Sequence, residues 1–264
     1  MRRKGDAQTD GMLLLRGQVV TNRLIASLKP QDLSVLEPFL DPVLLSRGEV
    51  LFEPGDDVVA TYFPAAGTMA SLVVPMADGR AVEAASIGRE GAVGGIVSAG
   101  NKPAFARAVV QMPGTALRIE AARLDEAKDR SKTLRDLFAR YADALLAQVL
   151  QSVACNALHT IEQRYGRWLL MTQDRVGGSE LELTQEFLSE MLGVQRTTVT
   201  AAARTLQDRG VIQYRRGRIT ILDRPRLERL SCECHETVRR HYDRVMPAVP
   251  ALALTEPEVT TDLG

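Results

Sequence analysis

Residues 183–223, LTQEFLSEMLGVQRTTVTAAARTLQDRGVIQYRRGRITILD, predict two short helices joined by a tight turn, with a β-hairpin after them. Thr184 can cap the first helix, because its hydroxyl accepts a hydrogen bond from an unpaired amide of the first turn. Gly193 then supplies the positive φ of the turn. The second helix covers residues 196–209, and Gly210 ends it in the left-handed conformation that glycine tolerates best. This is the pattern of a helix-turn-helix.

The second helix has a face that suits a DNA major groove. Where the two helices cross, the sequence places apolar residues, namely Leu188, Leu192, Val194, Val199 and Ala202. The exposed face combines short side chains with two long donors, namely Arg196, Thr197, Thr200, Ala201 and Arg204. Short side chains let a helix approach base edges, and arginine can donate to them. The alternative interpretation is a solvated helix in an ordinary helical bundle.

The charge around this helix argues against a generic bundle. Residues 195–218 contain six arginines and a single acid, Asp208. Residues 211–214 and 219–222 alternate like short strands, and the sequence Arg-Arg-Gly-Arg between them predicts a turn that presents cations to a DNA backbone. We therefore predict phosphate contacts from Arg204, Arg215, Arg216 and Arg218.

The composition is that of an average soluble globular protein, with 45% hydrophobic and 25% charged residues. Its 264 residues suffice for two domains. Lys plus Arg and Asp plus Glu number 33 each, so any binding to nucleic acid has to be local. Three cysteines are too few for a secreted disulfide framework, and the apolar run at residues 12–15 is too short for a signal or membrane segment. We expect a cytoplasmic protein that does not bind membranes.

The N-terminal half is predicted to be a β-sandwich or jelly roll. Two short helices at residues 22–28 and 32–40 precede a region where the hydrophobic period becomes two and glycines recur between apolar runs. An Asp78-Gly79 pair is a strong hairpin signal. Strands are predicted near residues 50–52, 62–64, 69–75, 81–86, 105–111 and 116–119.

A glycine-rich stretch, GREGAVGGIVSAG at residues 88–100, has two interpretations. Its backbone amides could bind an anion, as in glycine-rich phosphate loops. The spacing matches neither GxGxxG nor GxxxxGK[ST], so a phosphate-loop enzyme is not supported. Tight turns at the end of a β-roll are the favoured interpretation.

Residues 123–158 form the longest predicted helical segment. Residues at alternating steps of four and three make a heptad-like seam, for which we predict contact with a second copy of the chain, namely Leu134, Phe138, Tyr141, Leu145, Gln148 and Ser152. A wider apolar flank is predicted to pack on the β-domain. The alternative is a plain core helix.

Helices are also predicted at residues 159–174 and 226–245, and the second contains a Cys-x-Cys-His sequence at Cys232, Cys234 and His235. Cysteine and histidine are soft metal ligands. Because Cys234 lies in the apolar stripe and the sequence indicates no fourth ligand, packing is favoured over metal binding. None of the three histidines of the chain has neighbours that suggest a hydrolytic triad, so we predict no catalytic site and no enzyme.

The order of these parts resembles that of the Crp/Fnr superfamily, the cyclic-AMP receptor and fumarate-nitrate regulators. The resemblance covers roughly residues 22–223. Its strongest part is LTQEFLSEMLGVQRTTV, and weaker matches in the N-terminal half include Phe-Glu-Pro-Gly-Asp at residues 52–56. It implies an α+β fold of these parts: a flexible N-terminus (1–21), a cyclic-nucleotide-binding-like β-roll (22–125), a long dimerisation helix (126–158), a winged helix-turn-helix (159–224), a C-terminal helix (225–247) and a disordered tail (248–264).

The resemblance also implies a function. Family members are homodimers that bind palindromic DNA, with the second helix of each helix-turn-helix in the major groove. Arg196 matches the family's guanine-reading arginine, and Thr198 matches a hydroxyl that contacts phosphate. We add Gln185 and Gln195 as predicted phosphate contacts. The sequence departs from the family at Thr197 and Ala201, where many members carry a glutamate and an arginine, so the family's half-site cannot be carried over.

The sensor half departs further from its relatives. Members that bind a cyclic nucleotide use a Gly-Glu pair for the ribose and an Arg-Ser or Arg-Thr pair for the phosphate. The corresponding places here are Gly91-Ala92 and Lys102-Pro103, and we name Gly91, Ala92, Lys102 and Arg107 as the candidate effector pocket. Ala92 cannot accept from a ribose hydroxyl, and Lys102 is only a point charge. The iron-sulfur members use N-terminal cysteines, which are absent before Cys155. We expect no cofactor.

We therefore predict a homodimeric regulator of transcription that binds double-stranded DNA, and RNA polymerase as well if it is an activator. The alternative is a ligand-binding regulatory module that acts on a partner protein.

Overall fold

The computed structural model describes residues 13–15, 18–95 and 103–246. The predicted disordered tail at 248–264 and part of the glycine-rich stretch lie outside these residues. The first strands, β1 (Leu13–Leu15) and β2 (Gln18–Val20), form an antiparallel hairpin within the segment predicted to be flexible. The two strands pair locally with each other, and the polar residues before them gave no indication of this hairpin.

Two short helices connect this hairpin to the β-roll, namely α1 (Arg23–Ala26) and α2 (Pro30–Leu36). A 3-10 turn at Glu37–Phe39 follows, where the sequence predicted continued helix to residue 40. Asn22 caps α1, and its side-chain amide donates to the carbonyls of Pro64 and Gly91 at 2.9 and 2.8 Å. This buried side chain attaches the region to the roll, and Leu24 and Ile25 of α1 pack in one apolar cluster with Phe63 of β5.

The predicted jelly roll consists of two antiparallel sheets. One sheet has the order β3-β9-β5, and the other has the order β4-β8-β6-β7. The strands are β3 (Asp41–Leu45), β4 (Val50–Phe52), β5 (Ala60–Pro64), β6 (Met69–Pro75), β7 (Ala81–Ile87), β8 (Arg107–Met112) and β9 (Gly114–Glu120). All six predicted strands are confirmed, whereas β3 was not predicted from the sequence, since proline is uncommon inside strands and β3 contains Pro42. Proline is compatible with β3, which is an edge strand.

The long helical segment is two helices, α3 (Ala121–Arg130) and α4 (Lys132–Leu158), so the prediction of one helix over residues 123–158 is wrong. Ser131 separates them with φ −125° and caps α4 by accepting from the Leu134 amide. Asp32 stabilises the break between the two helices, because its carboxylate accepts hydrogen bonds from the hydroxyls of Ser131 and Thr133. This contact spans about a hundred residues of chain, and helical periodicity carries no sign of it.

The C-terminal half begins with α5 (Ile161–Val176), which Thr160 and Gln163 start with a capping box. The helix-turn-helix is α6 (Gln185–Leu192) and α7 (Arg196–Asp208). A three-stranded sheet of order β10-β12-β11 joins β10 (Glu180–Glu182), β11 (Ile212–Arg215) and β12 (Arg218–Ile221). The segment predicted as one helix over 226–245 is α8 (Arg224–Leu230) and α9 (Cys234–Val245), separated at residues 231–233.

The two halves pack against each other. Met69, Val73 and Met112 of the β-roll share one apolar core with the helix-turn-helix and its hairpin. On the other side of the molecule, α9 packs along α4. Throughout the described part of the chain, no helix combines the length and apolar character that a membrane span requires.

Candidate nucleic-acid interface

Local signals in the sequence set the geometry of the helix-turn-helix. The Thr184 hydroxyl accepts from the Phe187 amide, as predicted, and Gly193 lies in the left-handed region with φ 65°. The predicted crossing residues Leu188, Leu192, Val199 and Ala202 are buried, and Val194 is half-buried. Arg164 of α5 donates to the Leu192 carbonyl at 2.6 Å and so satisfies the C-terminal end of α6.

The predicted base-reading face of α7 is open to solvent. Its exposed residues are Arg196, Thr197, Thr200, Ala201 and Arg204. Gln195 is also exposed, whereas Thr198 is half-buried. Gln185 of α6 accepts from the Thr200 hydroxyl at 2.9 Å, which fixes the two helices to each other at this face. The arrangement presents short side chains flanked by guanidinium groups.

The hairpin of β11 and β12 lies beside this face. Its turn has φ 46° at Arg216 and 77° at Gly217, and the register pairs Arg215 with Arg218. Positive φ at both central residues is the geometry of a type I′ turn, which matches the twist of two antiparallel strands. The turn therefore holds the side chains of Arg215 and Arg216 outward, both exposed.

The arginines of this surface differ in their partners. Within the described residues, no carboxylate pairs with Arg196, Arg204, Arg215 or Arg216. Arg218 instead donates to Glu180 and Glu182 of β10 at 3.3 and 3.2 Å. Unpaired guanidinium groups are free for phosphate, whereas a phosphate must displace the carboxylates from Arg218. The predicted phosphate contact of Arg218 is therefore the weakest of the set.

The helix-turn-helix is docked on its own β-roll through surfaces other than the α7 face. Trp168 of α5 donates to Glu83 of β7 at 3.0 Å, and Arg47 donates to the Glu182 carbonyl at 3.0 Å. Gly193 lies so close to Val82 that an added Cβ would come within 3.1 Å of it. These contacts fix the orientation of α7 relative to the β-roll.

The predicted dimer seam does not face outward, and this prediction is wrong. Leu134, Phe138, Tyr141, Gln148 and Ser152 are buried in their own chain, and Leu145 is half-buried. Phe138 packs edge-on against Phe63 of the roll at 6.3 Å between ring centroids, and Gln148 donates to the Ser86 carbonyl at 3.0 Å. The seam has a heptad-like spacing, but that spacing does not tell which apolar face meets the β-roll.

A different face of α4 is apolar and exposed. Leu146, Leu150 and Val153 lie at steps of four and three and are 55%, 61% and 66% exposed. Leu158 at the end of the helix is 80% exposed. Apolar side chains in a row at this spacing leave a stripe without cover in the single chain.

At Gly91 and Ala92, the candidate effector pocket is filled by protein. Ala92 is fully buried, and a Cβ added to Gly91 would lie 2.0 Å from the Tyr141 hydroxyl oxygen. Tyr141 donates to the Ala92 carbonyl, and burial raises the pKa of this phenol well above its ordinary value. Arg107 pairs with Glu53 at 2.8 Å, and Lys102 lies outside the described residues. Gly91 and Ala92 therefore leave no room for a ribose.

A cavity of about 570 Å³ opens elsewhere, between α4, the end of α5 and α9. Its charged lining includes Arg175, which pairs with Glu90 at 2.7 Å, and Asp174, which contacts His235 and Arg224 at 2.7 Å each. Burial alone would raise the pKa of Asp174, but the hydrogen bond from His235 and the charge of Arg224 lower it overall. No motif in the sequence indicated this cavity, because its walls come from six separate segments of the chain.

The fold does not bring Cys232, Cys234 and His235 together as one group of ligands. His235 turns to Asp174 and away from Cys232 and Cys234. Cys155 on the last turn of α4 and His159 at its C-cap join the two cysteines instead. A Cys-x-x-x-His spacing on one helix could have indicated them, since residues four apart share a helix face.

Residues 163–230 match the family of Crp-like helix-turn-helix domains. Among curated proteins, none matches the sequence. FixK2 from Bradyrhizobium japonicum is 17% identical with a TM-score of 0.63, over 73% of this chain and 98% of its own. A CRP-family regulator from Thermus thermophilus is 16% identical with a TM-score of 0.59, over 80% of this chain and 100% of its own.

A second regulator from Thermus thermophilus, of the CRP/FNR family, is 19% identical with a TM-score of 0.57, over 72% of this chain and 98% of its own. At these identities the likeness concerns the fold, and it extends over both halves of the chain. The chain therefore has the fold of the Crp/Fnr-family transcription regulators and carries a Crp-like helix-turn-helix domain at residues 163–230.

Proposed function

We propose that the protein regulates transcription by binding DNA through α7 and the hairpin of β11 and β12. The observation that carries the proposal is the exposed face of α7, where Arg196 and Arg204 have no carboxylate partner among the described residues. Short side chains between the two arginines leave space for base edges. The match of this region to Crp-like helix-turn-helix domains supports the same function.

The DNA-binding unit is a homodimer in this proposal. Its interface is the exposed stripe of α4, Leu146, Leu150 and Val153, because the opposite side of α4 is already covered by the roll and by α9. A second copy related by a twofold axis buries the same stripe on both chains. Two copies of α7 then read a palindromic operator, with half-sites about one helical turn, roughly 34 Å, apart.

An effector would act at the junction of sensor and DNA-binding halves. The cavity between α4, α5 and α9 is the place for it, because its walls include Tyr141 and Gln148 of α4 and Arg175 of α5. A ligand there would contact the long helix and the DNA-binding half at once. Its differential affinity for two orientations of the halves would change the fit of the paired α7 helices to DNA.

Selection of bound fragments from random DNA tests the proposal, followed by titration of the selected sequence at two salt concentrations. We expect a palindromic consensus and a steep loss of affinity with salt, because several arginines release counterions from the backbone. Retention of no DNA at either salt concentration would refute the proposal and favour a module that acts on a partner protein.

A further inference from the structure

Three cysteines and a histidine meet where α4 ends and α9 begins. Cys155 and His159 are four residues apart at the end of α4, Cys232 lies between α8 and α9, and Cys234 is the first residue of α9. Their ligand atoms all lie within 4.8 Å of one another. All three cysteines are buried. Residues some 75 positions apart in sequence therefore present four soft donors to one point.

We propose that Cys155, His159, Cys232 and Cys234 bind one Zn²⁺ ion. With Zn–S near 2.3 Å and Zn–N near 2.0 Å, tetrahedral angles place two sulfurs about 3.8 Å apart and a sulfur and a nitrogen about 3.5 Å apart. The Cys155 and Cys232 sulfurs are 3.6 Å apart, and the Cys234 sulfur lies 3.4 Å from Nδ1 of His159. Both spacings agree with two edges of such a tetrahedron.

Groups around the four ligands support the same assignment. The second ring nitrogen of His159, Nε2, lies 3.4 Å from the Glu233 carboxylate. Metal-binding histidines characteristically donate their other N–H to a carboxylate, which orients the ring and fixes the tautomer. Gln151 donates to the Cys234 sulfur at 3.1 Å, as expected for a ligand that carries negative charge.

Two arginines of α5 provide an independent argument. Arg164 and Arg167 interact electrostatically with the cysteine cluster, and the Nε atom of each is buried without a hydrogen-bond partner. Neither forms an ion pair within the described residues, where Arg167 donates only to the Ser152 hydroxyl. Neutral thiols would leave these cations uncompensated. Three thiolates, a neutral imidazole and Zn²⁺ together carry one net negative charge. This charge would balance part of the positive charge of the two arginines.

The geometry favours a single ion over an iron-sulfur cluster. In a [4Fe–4S] cluster each thiolate binds a different iron, which separates the sulfurs more widely than the present cluster allows. Four protein ligands also leave no open position, which is the mark of a structural zinc site. We therefore assign the ion a structural role. The ion connects the end of α4 to the start of α9, next to the junction with α5. The zinc site is proposed independently of the proposed binding to DNA.

Metal analysis of the full-length protein, purified under reducing conditions without chelator, tests this site. We expect about one zinc per chain, and three thiols that react with a thiol reagent only after the metal is removed. Replacement of zinc by Co²⁺ should give the visible bands of tetrahedral thiolate coordination. Removal of zinc should lower the melting temperature by about 5–15 °C, because an ion that binds only the folded chain stabilises it.

Variants distinguish ligation from packing. Cys234→Ser and His159→Ala should each lose stoichiometric zinc, and His159→Ala should also change the Co²⁺ spectrum. Glu233→Gln should keep the site and weaken zinc affinity about 10- to 100-fold. His241→Ala is the matched control, because His241 pairs with Asp143 on the exposed side of α9 at 3.0 Å and should leave the zinc content unchanged.

Three results would overturn the proposal. The first is metal-free protein with three freely reactive thiols and no Co²⁺ spectrum, even after growth with added zinc. The second is iron at one or more atoms per chain. The third is a disulfide between Cys155 and Cys232 in protein isolated without reductant, together with no zinc when reductant is present. If Cys234→Ser fails to fold, Glu233→Gln and the Co²⁺ spectrum of the unaltered chain still decide the question.

Discussion

Arg196 occupies the first position of α7, where a long side chain can reach beyond the helix to the floor of a groove. The fold leaves its guanidinium exposed and without a carboxylate partner among the described residues. Arg209, at the other end of the same helix, is also exposed and carries the same charge. The two residues carry the same charge but differ in their position on the helix. We therefore expect only Arg196 to affect the preference for one DNA sequence over another.

We expect Arg196→Ala to reduce the preference for the selected operator over a single-base variant by about 1–3 kcal/mol at one base pair. The physical reason is the loss of paired hydrogen bonds to one guanine. Fluorescence anisotropy titrations on both DNA sequences measure the preference. Arg209→Ala is the matched control and should weaken both complexes equally. An unchanged preference in Arg196→Ala would show that α7 does not read bases through this residue.

At the scale of elements, α4 has one covered side and one open side. The open stripe of Leu146, Leu150 and Val153 is long enough to pair with its twofold copy. Placing a carboxylate in each copy of the stripe removes two apolar contacts and brings like charges together. Burial of one leucine contributes about 1.5–3 kcal/mol, so two copies contribute about 3–6 kcal/mol.

Leu150→Glu should therefore weaken the dimer by at least 100-fold and give a monomer in analytical ultracentrifugation at micromolar concentration. Leu44→Glu is the matched control, since Leu44 on strand β3 is 75% exposed and lies outside the stripe. It should leave the dimer intact. Dimers of unchanged affinity in Leu150→Glu would place the interface on another surface.

Asp174 links three elements, because it accepts from Arg224 of α8 and from His235 of α9 while it belongs to α5. Burial alone would raise its pKa, but these two partners lower it below the ordinary value. A carboxyl group with a lower pKa in the folded state stabilises the fold above its unfolded pKa, and this contribution is lost as the pH falls through the folded pKa.

Asp174→Asn should lower the free energy of unfolding by about 1 kcal/mol at pH 7, and the difference from the unaltered chain should shrink below about pH 4. Urea unfolding at a series of pH values measures it. Asp143→Asn, which removes the exposed partner of His241, should change stability by less than about 0.5 kcal/mol. A difference that grows toward acid pH would contradict the sign of this argument.

The sequence predicted the elements whose signals are local. Thr184 and Gly193 define the ends of α6 by their own chemistry, and both act as predicted. Features that depend on distant partners were missed. Ser131 breaks a helix because Asp32 is beside it, and Cys155 meets Cys232 across 77 residues. Hydrophobic spacing likewise showed that α4 has apolar faces but could not assign them to the roll or to a partner.

At the scale of the whole molecule, the contacts between the β-roll and the helix-turn-helix set the direction of α7 relative to α4. The two halves meet where Val82 of β7 packs on Gly193 and where Trp168 donates to Glu83. If α4 carries the twofold axis, these contacts also fix the distance between the two copies of α7. If the docking is rigid, the dimer should prefer operators with one particular spacing between their two half-sites.

Val82→Glu places a charge against α6 and should loosen the docking while both halves stay folded. We expect the preference for the selected spacing, over operators lengthened or shortened by two base pairs, to fall about tenfold, which corresponds to about 1.4 kcal/mol. Affinity for an isolated half-site should not change, because the α7 face is untouched. Met76→Glu, at a nearby position that is 54% exposed, is the control and should keep the preference. A spacing preference that survives Val82→Glu would mean that the α4–α5 junction alone, and not the docked β-roll, holds the two copies of α7 apart.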